Sequence, residues 1–354
     1  MTADDILAAT PSEIPTLTGL SGDVAPGRMR RALSALVRRW HPDTCADPRA
    51  AEVVAHLLAL RARVGQGGSV AAEEGSSDPG GVTREMVFAD GRRRRFRAWS
   101  VHEVDQGEIL VGARSLATRF TAEAADLAAA EGAAVAGLEF PDSRVADQMR
   151  PFLPPAPRHV ALADGAALTL VPRAPDEILL TDLLERRGPM PAVHAAWLCS
   201  GLLNIVAFLA VAGRVHGAIA PQTVLVDPVR HGIRLAAGWA FCVPAGTRPA
   251  ALPAQTLDVV PRLARPGETA EPALDLALVR ATVRAALGGP AGEAALPEPL
   301  RLWMRLPGAD AIAEYRGWQA ALESAWGRRR FREFPVTAAA VYGAAEAPPA
   351  EKKK

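Results

Sequence analysis

Apolar positions follow two different periods along the chain, and the change of period divides it. Met29, Leu33, Leu36, Val37 and Trp40 recur at helical spacing and form one stripe of an amphipathic helix. Arg28, Arg31, Ser34, Arg38 and Arg39 fall on the opposite face and make it basic. Proline disfavours helix in the residue before it, so His41-Pro42-Asp43 predicts the helix end near His41. Asp47, Pro48 and Glu52 then read as a helix start: a cap, a proline in the first helical position and an acid in the first turn. Val53, Leu57, Leu60 and Val64 give this second helix its buried stripe. Residues 65–83, GQGGSVAAEEGSSDPGGVT, carry no apolar period and read as a flexible linker.

Beyond the linker the pattern turns to strands. Asp90-Gly91 is a hairpin signal between the apolar runs at 86–88 and 96–101. Residues 122–138 read as an Ala-rich helix, and 159–163 and 167–172 as a strand pair around Asp164-Gly165. From Ile178 onward the chain reads as mostly helical. Strands with one helix first, and helices afterwards, predict a two-lobed α+β domain. The expected organisation is an all-α helical hairpin at 1–64, a linker at 65–84, an α+β two-lobed domain at 85–343 and a disordered tail at 344–354.

Composition narrows the functions. The chain has 354 residues, 49% of them apolar, enough for two or three domains with real cores. Forty basic and 39 acidic side chains leave a net charge of +1, which argues against a general nucleic-acid or membrane-surface binder. Cys45, Cys199 and Cys242 are far apart, so no Cys-pair zinc site is expected and a reducing compartment is. The start of the chain is acidic, unlike a signal peptide. The long apolar stretch at 195–212 contains Ser200 and Asn204 and reads as a buried helix. A cytoplasmic protein is expected. The abundance of Ala, Arg, Gly and Pro suits a high-GC bacterium or its phage.

The N-terminal constellation resembles the J-domain family. That family's pattern runs Leu-Gly, then Ile-Lys-x-Ala-Tyr-x-x-Leu, then His-Pro-Asp. The matching residues are Gly19, Met29-Arg30-Arg31-Ala32-Leu33, Leu36, Arg39-Trp40 and His41-Pro42-Asp43, with no gap from Thr18 to Asp43. Thr18 and Leu33 depart from the family's leucine and tyrosine, and its first helix is only weakly visible in residues 2–17. The resemblance implies a co-chaperone that stimulates a DnaK-type ATPase. Arg30, Arg31, Arg38 and Arg39 would dock on an acidic surface of that partner. Asp43 would pair with a partner arginine, and His41 and Pro42 would fix the loop.

A second resemblance lies further on. His216, Ile219, Pro221, Val224, Leu225 and Val226 match the hydrophobic frame of the catalytic loop of the protein-kinase fold. The chemistry is missing. Phosphoryl transfer needs a carboxylate beside the nucleophile, metal ligands and a lysine on the phosphates. The resemblance puts Ala218 at the base position, Ala220 at the loop lysine and Thr223 at the metal-binding asparagine. Ala237 falls at the second metal ligand, with Gly238-Trp239 after it. No lysine occurs between Met1 and Pro349, and Gly112 or Arg114 lies nearest the strand-lysine place. Glu131 keeps the helix glutamate but without that partner. Asp275 matches an aspartate that, in kinases, bonds the catalytic-loop backbone.

Actinobacterial and phage DnaJ-like proteins also carry a J-domain followed by such a region. They show a His-Gly-Ala segment and a Trp-Gly-x-x-x-Phe-Arg-x-Phe segment, matched here at 216–226 and 326–334. The implied function is a J-domain co-chaperone with a catalytically inactive, pseudokinase-like domain that binds a client protein. It would not itself be an enzyme and would need no cofactor or metal. An atypical nucleotide-dependent kinase, or a structural adaptor with an inert J-domain, are the alternatives. The arginine run at 92–95 reads as a solvated strand edge, so nucleic acid is not an expected partner, nor is a membrane. His159, His194 and His231 are dispersed and show no metal spacing.

Overall fold

The computed structural model describes residues 2–10, 13–18, 29, 32–33, 36–37, 39–40, 45, 47–66, 81–265, 267–306, 308–327 and 331–343. His41, Pro42 and Asp43, with Arg30, Arg31 and Arg38, lie outside them, as do 67–80 and the tail from 344.

The N-terminal module opens with helix α1 (Ala3–Leu7). Thr2 and Asp5 form a reciprocal capping box that satisfies its first amides. Helix α2 (Ile14–Leu17) follows, and then, beyond helical residues between 29 and 39, comes α3 (Ala50–Gln66). Leu33, Val37 and Trp40 are buried with Val53, Leu57 and Leu60, so both expected stripes face one core. Ile6 and Ile14 complete it from the segment where a first helix was barely visible. Arg49 ties the start of α3 to Asp4 at 2.6 Å. Helix α3 runs past the expected boundary at 64, as far as Gln66.

Four strands come next: β1 (Val82–Val87), β2 (Arg93–Val104), β3 (Gly107–Gly112) and β4 (Ser115–Phe120). Strand β1 starts inside the segment expected as linker, because Val82–Val87 pairs along its whole length with β2. Helix α4 (Ala125–Ala136) and the short α5 (Ser143–Met149) precede β5 (Arg158–Ala161) and β6 (Ala167–Pro172). The sheet order is β1-β2-β3-β4-β6-β5. Its ends meet: Phe88 bridges Leu162, and the Ala89 amide donates to the Ala161 carbonyl at 3.0 Å. The small lobe is thus a curled sheet whose two ends touch at this bridge, filled by Met86, Ala98, Leu110, Ala117, Leu162 and Leu168. Strand β2 serves both β1 and β3 by bending at a bulge between Ala98 and Ser100. Trp99 has no cross-strand partner there, and such bulges re-aim side chains.

A short crossing at 173–177 leads to the large lobe, which begins with β7 (Ile178–Leu179), α6 (Leu180–Arg187) and α7 (Ala192–Val211). Helix α7 is long and apolar enough to cross a membrane, and most of its apolar window (67%) is buried inside the protein. It is the core helix of this lobe. Each fully buried leucine or isoleucine on it contributes roughly 1.5–3 kcal/mol. Strands β8 (Arg214–Val215), β9 (Val224–Asp227), β10 (Gly232–Leu235) and β11 (Val243–Pro244) pass over it. The lobe finishes with α8 (Ala254–Val259), α9 (Pro272–Ala286), α10 (Pro290–Ala294), α11 (Glu298–Arg305), α12 (Ala311–Trp326) and α13 (Ala338–Tyr342). Helices α9 and α12 pack against α7, and α3 of the N-terminal module reaches α8. The two-lobed α+β architecture is the expected one.

Candidate functional site

A cavity of about 570 Å³ lies between the lobes. One wall is the loop between β8 and β10. Its backbone is held from below by Asp275 on α9, whose carboxylate accepts from the His216 amide at 2.7 Å and the Gly217 amide at 2.8 Å. Thr256 adds a hydroxyl bond to the Gly217 carbonyl at 2.8 Å. Gly238 closes the wall with φ +84, and a Cβ there would lie 3.0 Å from the Ala218 methyl, so both conformation and space call for glycine.

Ala218, Thr223 and Ala237 all line the cavity, so three residues aligned only by resemblance do come together. Ala220 is buried in the same loop but does not line it. The two alanines present methyls. The Thr223 hydroxyl accepts from the Ala220 amide at 3.0 Å and donates to the Ala218 carbonyl at 2.9 Å, so it is spent on the loop. His216 is fully buried, edge-on to Trp239 at 4.8 Å, and burial pushes its imidazole down to about 3, so it is neutral.

One expectation about the small lobe needs correcting. Gly112 ends β3 and Arg114 sits in the next turn, and neither lines the cavity; Thr118 of β4 does, so it occupies the cleft-facing strand position. Glu131 has no lysine beside it among the described residues and is bonded elsewhere. It accepts from the Thr169 hydroxyl at 2.9 Å, and the amides of Gly238 and Trp239 donate to it. Burial pushes this carboxyl up to about 7, against those hydrogen bonds. Burial likewise raises Asp275 to about 6.

The opposite wall is built around Asp182 on α6. Its carboxylate accepts from Ser100 Oγ at 2.6 Å, from His102 Nε2 at 2.8 Å and from the Tyr342 hydroxyl at 2.8 Å. These bonds join the small lobe, the large lobe and α13 at one buried group. Burial alone would raise the Asp182 pKa; the bonds from His102, Ser100 and Tyr342 win and lower it. Burial opposes protonation of His102, and the Asp182 carboxylate overcomes that to raise its pKa. His102, Asp182 and Glu185 place ligand atoms within 4.8 Å of one another, but both Asp182 oxygens are already engaged by Ser100, His102 and Tyr342.

The crossing between the lobes is also bonded to the protein itself. Arg173 is buried and donates to the carbonyls of Gly112 at 2.9 Å, Ala113 at 2.8 Å and Glu177. Tyr342 Oη accepts from the Leu179 amide at 3.0 Å. The bulged Trp99 covers both, 4.7 Å from the Arg173 guanidinium and 4.9 Å from the Tyr342 ring. Sequence reasoning missed Trp99, His102, Arg173, Asp182 and Tyr342, because most of their partners lie about 60 or more residues away in the chain. It also treated His194 and His231 as dispersed; their rings lie 5.7 Å apart, against Phe334 and Phe331 respectively.

No protein-family model matches this chain, and no curated protein matches it in sequence. Among solved structures it is similar to vaccinia related kinase 3, at 13% identity and a TM-score of 0.47, over 71% of this chain and 94% of that one.

Proposed function

We propose that this chain is a J-domain co-chaperone whose two-lobed domain is a kinase-like scaffold without phosphotransfer activity. Residues 1–64 engage a DnaK-type ATPase, and residues 85–343 bind the client or partner protein. The observation that carries the noncatalytic part is the loop wall of the cavity. Where phosphoryl transfer needs a base and metal ligands, the wall offers Ala218, Ala237 and an internally bonded Thr223. The carboxylates that remain nearby, Asp275 and Glu131, are turned to backbone amides. A missing general base alone costs about 10²–10⁴ in rate.

The J-domain part rests on the sequence constellation around His41-Pro42-Asp43. The buried stripe of Leu33, Val37 and Trp40 supports it, with Arg39 exposed beside that stripe. The deciding experiment is the steady-state ATPase rate of a bacterial DnaK with this protein and with its His41→Gln variant. Stimulation by the first and not the second is expected. Equal rates with both, alongside a control J-protein that does stimulate, would sink the co-chaperone reading. A Mg²⁺-dependent rise in melting temperature with ATP would sink the noncatalytic one.

A further inference from the structure

The small-lobe sheet has an open edge beside its densest run of arginines. Strand β1 pairs with β2 along Val82–Val87, and among the described residues the two ends of the sheet touch only near Phe88. The Phe88 amide donates to the Arg92 carbonyl at 2.8 Å, and the Val87 carbonyl accepts from the Ala163 amide at 2.9 Å. Antiparallel pairing alternates inward and outward backbone groups along a strand. Arg84 and Met86 therefore bond to β2, and the amides and carbonyls of Thr83 and Glu85 point away from it. No backbone group among the described residues pairs with those of Thr83 and Glu85, and both residues are exposed. Such an edge is a template for another strand.

The charge beside this edge is one-sided. The hairpin at 82–98 carries six arginines against Glu85 and Asp90, in a chain whose net charge is +1. Side chains alternate between the two faces of a strand. Phe96 and Ala98 turn to the core of the small lobe, so Arg93, Arg95 and Arg97 lie on the outer face, opposite Val87, Glu85 and Thr83. Arg93 pairs with Glu85 and Arg84 with Glu108, each at 3.3 Å. Arg95 and Arg97 are exposed and make no ion pair with any described residue. An edge guarded against pairing carries its charge on the edge strand itself. Here the charges of β1 are matched, and the excess lies one strand inward.

We propose that β1 receives an extended acidic segment of the partner protein as an added strand. Strand addition takes its affinity from main-chain bonds and its specificity from alternate side chains. The open ladder offers donors and acceptors in turn, and a peptide backbone answers both. Phosphates of a nucleic acid bring acceptors alone, and a membrane surface brings no ladder. A second copy of this chain would set its own arginines against these, and like charges across strands repel. A strand added at β1 lies about 5 Å from it and about 10 Å from β2. At that range acidic side chains on the outer face meet the extended side chains of Arg95 and Arg97, which steers encounter and fixes register. The proposal rests on the reading of residues 85–343 as a partner-binding domain and gives that partner its chemistry.

The test uses the full chain and a fluorescein-labelled octapeptide that alternates Glu with Thr, read by anisotropy at fixed ionic strength, because salt screens exposed charge. Saturable binding is expected, with slower hydrogen exchange at Thr83 and Glu85. Reversing the arginines together, Arg95→Glu with Arg97→Glu, should raise Kd about tenfold. Thr83→Pro removes an outward amide, spares the bonds to β2 and adds no charge, and it should also raise Kd about tenfold. Melting curves confirm that the variants are folded. No saturable binding overturns the proposal. A Kd that Thr83→Pro leaves unchanged overturns it too, since attraction would then be by charge alone. Binding that appears only after Glu73→Gln, Glu74→Gln and Asp78→Asn would give the edge to the chain's own preceding segment, against the proposal. Dimers of this chain that the peptide dissociates would give it to a second copy, again against it. Peptide binding without DnaK stimulation would sink the co-chaperone reading alone, and DnaK stimulation without peptide binding would sink this proposal alone.

Discussion

The loop wall of the cleft, residues 216–239, and the linker wall, built from β2, α6 and α13, spend their polar groups in different ways. On the loop wall the groups that line the cavity are neutral: the Ala218 and Ala237 methyls, Thr223 and Gln222. Its carboxylates sit behind it, Asp275 under the His216 and Gly217 amides and Glu131 against the Gly238 and Trp239 amides. On the linker wall a carboxylate does line the cavity, but Asp182 is bonded to Ser100, His102 and Tyr342. One wall presents no charged group to the cavity. The other has gathered charge and used it to join the lobes. Hinged two-lobed domains close around ligands by moving at such a crossing. Here three side-chain bonds and the Trp99–Arg173 stack hold the crossing in place.

The comparison breaks first at Asp182. Asp182→Ala leaves the donors of Ser100, His102 and Tyr342 without their shared acceptor and should destabilise the domain by about 4 kcal/mol. Denaturant unfolding measures the loss, and hydrogen exchange should rise together in β2 and α13. Rapid exchange in only one of the two would mean that Asp182 does not join them. Asp275→Ala comes next, at about 3 kcal/mol, because two buried amides lose their acceptor. Exchange should then rise in the loop wall and leave β2 unchanged. A loss under about 1 kcal/mol would mean that the loop holds its own shape.

The two walls were not equally legible in the sequence. The loop wall is a contiguous segment whose apolar frame, from His216 to Val226, can be read directly, and the resemblance carried by that frame aligned Ala218, Thr223 and Ala237, which the structure brings to one cleft. Hairpin signals at Asp90-Gly91 and Asp164-Gly165 located strand pairs, because a two-residue turn is a local event. The linker wall is different. Ser100, Asp182 and Tyr342 are each an ordinary polar residue, and only the curl of the sheet, the bulge at Trp99 and the return of α13 bring them together. Glu131 was found, but its new partners were not, since an amide donor leaves no trace in a sequence. Local periodicity also missed the start of β1 at Val82, where pairing with β2 extends the strand back into a glycine-rich neighbourhood.

Glu131 sharpens the comparison through pH. Its folded pKa is raised to about 7 from the ordinary 4.5, so between those values the folded chain binds more protons than the unfolded one. Stability therefore falls as pH rises from 4.5 to 7 and is flat above. The Glu131→Gln variant keeps an acceptor for one amide and a donor for Thr169, and it carries no charge to bury. It should lose this slope and gain on the order of 2 kcal/mol over the parent at pH 8. Unfolding curves at pH 5 and pH 8 decide it. A slope unchanged in the variant would show that Glu131 is not the titrating group.

The smallest effect lies outside the cleft, where the chain folds back on the large lobe. Phe334 stacks on His194 at 4.2 Å, and Phe331 lies 4.5 Å from His231, which in turn stacks on Trp197 at 4.7 Å. Burial lowers both histidine pKa values, helped at His194 by the neighbouring His231. At His231 the Arg332 backbone and Asp227 pull the other way without reversing the shift. Below pH 6.5 the unfolded chain therefore binds more protons than the folded one, and stability drops as pH falls. Acidification from pH 7.5 to 5.5 should raise hydrogen exchange at 331–336 and leave β2 and α13 protected. His194→Phe keeps the stack on Phe334 and removes the charge, so it should flatten this response. His231 has φ +53, so its control is His231→Asn, which tolerates that backbone but loses the stack on Trp197. Exchange that follows pH equally in the parent and in His194→Phe would show that the pair does not govern how the C-terminal segment docks.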